Sequence, residues 1–334
     1  MTSLRDLLAA YRQDRGGSVG ETEAGVRELS PMFNGITPHR PGYLSAARLR
    51  RAYVQYYLPV NAEKVRLVLS ELGTYAPLPE RPKVLDFGCG PGTASIALLG
   101  ERPGADLTLV DVVDEALDDA EYFCRALGAR PRRAHEPPAG EAYDLILAVN
   151  VLAETAAPLE GLLTERGHLV VLEPALRTTT RRLMEWRDGL VARGYRIAAP
   201  CLGPRTCPML EHEDLWCHMD VAWPRPATVA EIDRRLGFSK ESLKYSYLVV
   251  TRKGATMADR GGTHRVVSNL HREKGKAWAW LCGSRGPLCR TEVLTRHRSE
   301  ATAAFFHAER GHVLRLQAEG ASVRSEGPVE RVLY

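Results

Sequence analysis

The sequence predicts an α/β fold in which a parallel sheet is covered by helices, and two observations carry this prediction. Apolar runs of strand length at residues 83–87, 107–112, 145–149 and 168–173 alternate with helix-like stretches at 93–99, 114–127 and 152–166. This alternation is typical of βαβ units, whose strands lie buried under helices. A glycine-rich loop also follows the first run directly, at the edge where open α/β sheets bind ligands.

The segments around this alternating region predict three further parts of the chain. Residues 1–75 form a helical region, with a strong helical pattern at 46–72 that we expect to break at Pro59. Residues 76–199 form the Rossmann-like core, which ends with a helix at 178–194. Residues 200–250 form a cysteine-rich insertion that completes the core with a strand at 245–251. Residues 251–334 form a small, basic, β-rich appendage with strands at 265–269, 277–282 and 312–317.

The bulk composition excludes several classes of protein. The 334 residues are 44% hydrophobic and 26% charged, as in an ordinary globular protein rather than a disordered chain. No apolar run approaches the length of about eighteen residues that a membrane span needs. The first residues lack the apolar core of a secretory signal. We therefore expect a cytoplasmic protein whose seven cysteines are free, metal-bound or redox-active.

The glycine loop predicts the ligand of the core. It reads Asp86-Phe87-Gly88-Cys89-Gly90-Pro91-Gly92, and its glycines allow the backbone to turn sharply and to approach a ligand closely. A dinucleotide site would have its third glycine at the position of Thr93. The carboxylate of Asp86 would also repel a pyrophosphate, whereas it suits a cationic sulfonium with an amino group. The order Asp-x-Gly-x-Gly-x-Gly resembles the first motif of class I methyltransferases, and so predicts that residues 86–90 and Gly92 bind S-adenosylmethionine (SAM).

Polar residues at the ends of the later strands extend this predicted site. Asp111 lies where a carboxylate can accept both ribose hydroxyls; the alternative is a helix cap, for which Asp114 is better placed. Asn150 lies where methyltransferases line the floor beside the methyl group, or else it caps the following helix. Glu173 and Pro174 end a strand at the same rim and form either a structural stop or part of the pocket wall.

The sequence does not identify a catalytic base. Methyl transfer is an in-line displacement, and positioning alone can supply about 7–11 kcal/mol of such a barrier. The Asp/Asn-Pro-Pro-aromatic motif of many enzymes that methylate amino groups of nucleic acids is absent. The sequence in its place runs from Asn150 to Glu154 without a proline. The tyrosines at 53, 56 and 57 form an aromatic cluster that either packs into the core or roofs the pocket.

The cysteines predict a second site. Cys201, Cys207 and Cys217 lie within seventeen residues of an irregular, proline-rich segment, and His218 follows. Thiolates in such a segment favour zinc or an iron–sulfur cluster, although the spacing matches no common zinc finger, and free thiols remain the alternative. Cys282 and Cys289 come later and are candidates for a further ligand. Cys89 and Cys124 are expected to be buried in the core.

Charge is unevenly distributed along the chain. Residues 251–334 hold 15 Lys and Arg against 8 Asp and Glu, whereas residues 1–250 hold 30 against 33. A basic terminal segment indicates a polyanionic partner such as a nucleic acid. The alternative is compositional, because arginine is abundant throughout the chain.

Several short segments together resemble one protein family. They are AYVQYYLPVN at 52–61, PC at 200–201, CP at 207–208, WCH at 216–218, YSYL at 245–248, RVVS at 265–268 and LC at 281–282. In this order they resemble the methyltransferase-like family of small-ribosomal-subunit assembly factors, which has mitochondrial members and bacterial relatives. Where that family often begins its cluster segment with Cys-Pro-His, Leu202 and Gly203 follow Cys201 here.

The resemblance implies a 4Fe–4S cluster held by Cys201, Cys207, Cys217 and Cys282, with zinc as the alternative. Cys282 is preferred to Cys289 because it follows the apolar strand as in the family pattern. The resemblance also implies ribosomal RNA or the small ribosomal subunit as partner. It leaves open whether methyl is transferred at all, since a SAM-binding assembly factor without catalysis is the second hypothesis. A small-molecule or peptide methyltransferase of specialised metabolism is the third.

Overall fold

The computed structural model describes residues 3–152, 157–203, 206–238, 241–257, 262–283, 288–316, 322–324 and 329–333. These residues form two sheets with helices packed around the larger one. Its strands are β1 (Lys83–Phe87), β2 (Asp106–Val110), β3 (Arg132–Ala134), β4 (Tyr143–Val149), β5 (Leu163–Pro174), β6 (Arg196–Ala199), β7 (Met219–Ala222) and β8 (Ser242–Thr251).

The order of strands in the large sheet is β3-β2-β1-β4-β5-β8-β6, with β7 paired to the other end of β8. Strands β1 to β5 are parallel, and β8 runs antiparallel to β5, β6 and β7. The predicted α/β, class I methyltransferase-type fold is confirmed. One detail differs from the prediction, because the sheet is mixed at the β8 end rather than wholly parallel.

Helices cover both faces of this sheet. Alternate residues of a strand point to opposite faces, so Leu145 and Leu147 of β4 enter one hydrophobic core whereas Ile146 and Ala148 enter the other. The helices are α1 (Leu4–Arg15), α2 (Val19–Phe33), α3 (Ala47–Ala52), α4 (Leu58–Tyr75), α5 (Thr93–Glu101), α6 (Asp114–Ala126), α7 (Arg177–Ala192), α8 (Ala227–Leu236) and α9 (Ala303–Phe306). None of the described helices is both long and apolar enough to cross a membrane.

The helix expected at 152–166 is wrong for its described part. A short 3-10 turn covers Leu159–Leu162, and β5 already begins at Leu163; residues 153–156 lie outside the described part. Pro158 stands directly before the turn and Gly161 within it, and both residues disfavour a helix interior. Of the apolar side chains that suggested a helix, Leu159 and Leu162 lie in this turn and Leu163 is the first residue of β5.

The expected break at Pro59 is also wrong, because the helix continues through it. Residues Tyr53–Tyr57 form a π-helical turn between α3 and α4, in which the Leu58 N–H bonds to the Tyr53 carbonyl. Pro59 then occupies the first turn of α4, where a missing N–H costs little. The wider turn accommodates the proline without ending the helix.

The N-terminal helices are held to the core by buried polar contacts. The Tyr11 hydroxyl and the Arg50 guanidinium both donate to the Asp119 carboxylate of α6, at 2.6 and 2.8 Å. The Tyr56 hydroxyl donates to Asp233 of α8, which also accepts from Arg225. These bonds anchor residues far apart in sequence, and they fix the helices that stand over the ligand edge of the sheet.

The C-terminal part forms the second sheet. Its strands are β9 (Thr263–Val266), β10 (His271–Glu273), β11 (Lys276–Gly283), β12 (Cys289–Leu294), β13 (Val313–Arg315), β14 (Ser322–Arg324) and β15 (Glu330–Leu333). Their order is β14-β12-β11-β9-β13-β15, with β10 paired to β11. Arg265 of β9 joins this sheet to the rest of the molecule. It donates to Glu71 of α4 at 2.5 Å, to the Pro200 carbonyl at 2.9 Å and to the Gly311 carbonyl at 2.9 Å.

Candidate functional site

A cavity of about 800 Å³ opens at the carboxyl ends of β1, β2, β4 and β5. Ligands of open α/β sheets lie at this edge. The predicted binding residues that line it are Asp86, Gly88, Cys89, Gly90, Asp111 and Asn150. Phe87 and Gly92 do not line it: Phe87 packs into the second core, and Gly92 caps α5.

The loop glycines are required by backbone conformation and by close packing. Gly88, Gly90 and Gly92 have φ angles of 64°, 51° and 85°, in the left-handed region that other residues rarely adopt. A Cβ at Gly88 would meet Val151 at 2.5 Å, and one at Gly92 would meet the Ala120 Cα of α6 at 3.0 Å. Gly92 therefore acts through the packing of α5 against α6 rather than through the cavity.

Asp86 is fully enclosed beneath the loop. Its Oδ2 accepts from the Ser95 backbone N–H at 3.0 Å and from the Ser95 hydroxyl at 2.6 Å. Burial raises the pKa of Asp86 to about 6, against the opposing effect of these hydrogen bonds. The carboxylate is thus tied to the first turn of α5 while it also borders the cavity.

Asp111 holds the loop from the neighbouring strand. Its Oδ2 accepts from the Gly90 N–H at 2.8 Å, and its Oδ1 accepts from the Val113 N–H at 2.9 Å. Burial raises the pKa of this carboxyl, and these backbone N–H groups oppose the shift. The alternative cap assigned to Asp114 is wrong, because Val113 is the N-cap of α6 and Asp114 is its first helical residue.

Asn150 closes β4 in an unusual conformation. Its φ of 57° makes it the sole residue other than glycine with positive φ among those described. Its N–H donates to the Leu172 carbonyl of β5 at 2.7 Å. Strain of this kind is concentrated at functional sites. Next to it, the Glu173 carboxylate accepts from the Leu152 N–H at 2.9 Å, and both Glu173 and Pro174 line the cavity.

The opposite wall comes from the N-terminal helices, and it includes two of the tyrosines that the sequence placed either in the core or over the pocket. The Phe33 ring contacts those of Tyr57, Tyr43 and Tyr53 edge-on, with centroids 4.7, 5.5 and 6.1 Å apart, and all four residues line the cavity. The tyrosines therefore both pack and line the pocket, except Tyr56, which is buried against Asp233. Val112, which directly follows Asp111, also lines the cavity and is 79% exposed.

The cysteines predicted to act together do line one space. A small, mostly apolar cavity of about 30 Å³ is bordered by Cys201, Cys207, Cys217 and Cys282, and also by Arg187 and Arg265. Burial raises the pKa of Cys207 to about 12 and that of Cys217 well above its usual value. We name this space the thiol cavity.

The register of the second sheet places Cys282 and Cys289, the two candidates for the fourth ligand, on opposite faces. Cys289 pairs with Leu281, so it lies on the same face as Leu281, and the next residue, Cys282, lies on the opposite face. The Cys289 sulfur lies 3.4 Å from the Thr291 hydroxyl and does not border the thiol cavity. Cys89 and Cys124 lie in the first core, as expected.

Charged side chains of α7 organise the cysteine segment. Arg181 donates to the carbonyls of Met209, Leu210, His212 and Leu215, between Cys207 and Cys217. Arg187 donates to the Gly203 carbonyl at 2.9 Å, and the Asp188 carboxylate accepts from the Cys207 N–H at 3.0 Å. Across the described residues, however, no three His, Cys, Asp or Glu side chains are placed to hold a metal ion.

Comparison with known proteins gave one family and several structural resemblances. A family model described as "Mitochondrial small ribosomal subunit Rsm22" matches residues 48–314. The biotin biosynthesis bifunctional protein BioCD of Bordetella avium (strain 197N) is 30% identical over 174 residues. These residues span 49% of this chain and 37% of that protein.

Two solved methyltransferase structures show the extent of the structural resemblance. A SAM-dependent methyltransferase from Thiobacillus denitrificans in complex with S-adenosyl-L-homocysteine has a TM-score of 0.34 at 17% identity, covering 55% of this chain and 90% of that one. Magnesium protoporphyrin IX methyltransferase from Synechocystis PCC 6803, with bound S-adenosylhomocysteine, has a TM-score of 0.37 at 16% identity, covering 70% and 100%.

Proposed function

This chain belongs to the mitochondrial small ribosomal subunit Rsm22 family, and from that premise we propose that it is a SAM-dependent methyltransferase acting on ribosomal RNA or the small ribosomal subunit. We further propose that it carries a 4Fe–4S cluster in the thiol cavity. The observation that carries the SAM assignment is the pair of carboxylates, Asp86 and Asp111, that border one cavity on either side of the glycine loop.

The residues of the large cavity fit SAM by charge and shape. Asp86 offers a carboxylate to the cationic amino acid end, and Asp111 offers oxygens that can accept the ribose hydroxyls while they also accept backbone N–H groups. The exposed Val112 side chain supplies apolar surface beside Asp111 for an adenine ring. Bound SAM would supply the methyl group on its sulfonium. The chain's own residues would orient it towards the Asn150 rim and exclude water.

Four cysteines border the thiol cavity, which is the donor number that a 4Fe–4S cluster takes. The same four thiolates would also suit a tetrahedral zinc ion, which is the alternative. Arg187 and Arg265 border the same space and would offset the negative charge of a thiolate-bound cluster.

Anaerobic purification tests the cluster. We expect a brown protein with thiolate-to-iron absorbance and about four irons per chain. A colourless anaerobic preparation that contains stoichiometric zinc would show that the iron assignment is wrong.

A SAM-binding assembly factor without catalysis is the second candidate. It is favoured by the residues after Asn150, which lack the Pro-Pro-aromatic segment of many enzymes that methylate nucleic acid amino groups. Both the methyltransferase and the assembly factor would bind SAM in the large cavity, but only the methyltransferase would transfer its methyl group.

A binding and transfer assay with labelled SAM distinguishes these candidates. We expect SAM to bind the purified chain, and we expect Asp111→Ala to weaken it about tenfold or more, because buried charge-assisted hydrogen bonds contribute about 1.5–3 kcal/mol. Asp114→Ala is the matched control, since its side chain is 72% exposed and outside the cavity. Label on small-subunit RNA or protein establishes catalysis, and SAM binding without label favours the assembly factor. If SAM does not bind, both candidates fail.

A further inference from the structure

The β10–β11–β12 region of the second sheet carries a preformed stack of three planar groups on the face that also bears Trp280 and Cys282. His271 and Trp278 are opposite each other in the register, with ring centroids 4.0 Å apart and planes inclined by 11°. The Arg290 guanidinium lies 4.4 Å from the Trp278 ring centroid. Arg290 is paired with Trp280 in the register, so it reaches diagonally across the sheet to Trp278. We name these three residues the ring stack.

The ring stack stands outside the core of its own sheet. Ala277, Ala279 and Leu281 of β11 point inward and are buried with the phenylalanines of α9. Trp278, Trp280 and Cys282 alternate with them on the other face. His271, at the end of the stack, is exposed. The His271 imidazole therefore has one ring face open to solvent, and its other face stacks on the Trp278 indole, which the Arg290 guanidinium also contacts.

The surrounding charge is strongly positive. Residues 271–298 hold seven Lys and Arg and two Glu, so most of the excess positive charge of the C-terminal segment lies here. The two acids are already engaged: Glu273 accepts from the Trp278 indole N–H at 2.6 Å, and Glu292 pairs with Lys276 at 3.1 Å. Within the described residues, Lys274 and Arg290 form no ion pair. Two such cations beside an exposed ring suit a phosphate backbone that carries unpaired bases.

We propose that this face binds a single-stranded segment of RNA, with one base stacked on the exposed ring face of His271. Lys274 and Arg290 then contact the adjacent phosphates. A splayed base is required, because bases inside an A-form duplex stack on each other and leave no ring face open. The proposal rests on the proposed function, of which it specifies the RNA contact. It places that contact on the same sheet face as Cys282, which borders the thiol cavity.

Titration of the full chain with a labelled, unstructured RNA of about twelve nucleotides tests the proposal. We expect His271→Ala to weaken binding about tenfold, within the range of about 1–3 kcal/mol for removal of one base–aromatic stack. His271→Phe retains a ring and should bind as the unmodified chain does. Arg290→Ala should weaken binding and reduce the slope of log affinity against log salt by about 0.7, the value for one phosphate contact on a single strand.

Arg315→Ala is the matched control. Arg315 is an exposed arginine of the same sheet, paired with Glu330 rather than stacked on a ring, so its loss should leave RNA affinity within about twofold. If Arg315→Ala and Arg290→Ala weaken RNA binding equally, net charge alone explains the effect and the proposal is overturned. It would also be overturned if His271→Phe binds as weakly as His271→Ala, or if a duplex of equal length binds more tightly than the single strand.

Two further measurements separate this proposal from the proposed function. Each variant is tested for SAM affinity and for cosedimentation with small ribosomal subunits, and SAM affinity should not change. If the unmodified chain binds SAM and subunits but its RNA affinity is insensitive to the ring stack, the proposal fails and the function stands. If substitutions in the ring stack weaken RNA binding but the unmodified chain does not cosediment with small ribosomal subunits, the ribosomal assignment fails and the RNA-binding surface stands.

Discussion

Arg265 is the residue whose removal should test the architecture most directly. It is 2% exposed and donates to the Glu71 carboxylate and to the carbonyls of Pro200 and Gly311. Glu71 is itself 2% exposed and also accepts from the Tyr247 hydroxyl at 2.5 Å. One guanidinium thus connects α4, the start of the cysteine segment and the second sheet.

The substitution Arg265→Met removes the charge and keeps much of the volume. Loss of one partner from a buried ion pair costs about 3–5 kcal/mol, because the remaining charge stays buried. Two carbonyls also lose a donor, at about 1–3 kcal/mol each, although such costs overlap in a shared network. We therefore expect the free energy of unfolding to fall by about 4 kcal/mol or more.

Urea unfolding followed by tryptophan fluorescence measures this loss. The double variant Arg265→Met/Glu71→Gln should recover about 2 kcal/mol, because it removes the uncompensated carboxylate. The exposed pair Arg315–Glu330 provides the control, and Arg315→Met should change stability by less than about 1 kcal/mol. The reasoning is refuted if Arg265→Met costs less than about 1 kcal/mol, or if the double variant is no more stable than the single one.

Three other outcomes are expected. Gly92→Ala should lower the free energy of unfolding by about 2 kcal/mol in urea titration, since a Cβ there meets α6 and φ is 85°, whereas Gly100→Ala in the same helix should raise it by about 0.5–1 kcal/mol. Cys282→Ser should abolish iron binding after anaerobic purification and Cys289→Ser should not; the reverse result would assign the ligand to Cys289. The folded-state pKa of Asp86 is raised from 3.8 to about 6, so its contribution to the stability of the ligand-free protein is full below about pH 4 and is lost as pH rises through about 6. SAM needs the ionised carboxylate, so its affinity, measured by calorimetry, should fall by up to about tenfold per unit below pH 6; a flat profile would remove Asp86 from the site.

The central sheet was predictable because its signals are local. The strand at 83–87 matches β1, and the helix predicted from residue 114 begins there as α6. The glycine spacing after β1 specified the turn, since positive φ at three positions excludes most other residues. The helix predicted at 152–166 is wrong in its described part, although local signals against it are present. Pro158 and Gly161 both disfavour a helix interior, and their effect outweighs the apolar periodicity of this segment.

The sequence by itself determined the α/β core, the glycine loop and the carboxylates at its edges, because each depends on residues adjacent in the chain. The family resemblance favoured Cys282 over Cys289, but only the tertiary structure placed Cys282 at the same cavity as Cys201, Cys207 and Cys217. That choice depends on a strand register set by long-range pairing, in which a shift of one residue reverses the faces. The aromatic wall, in which Phe33 of α2 meets Tyr53 and Tyr57, likewise depends on packing between segments that are not adjacent in sequence. The ring stack of His271, Trp278 and Arg290 depends on the register of β10, β11 and β12.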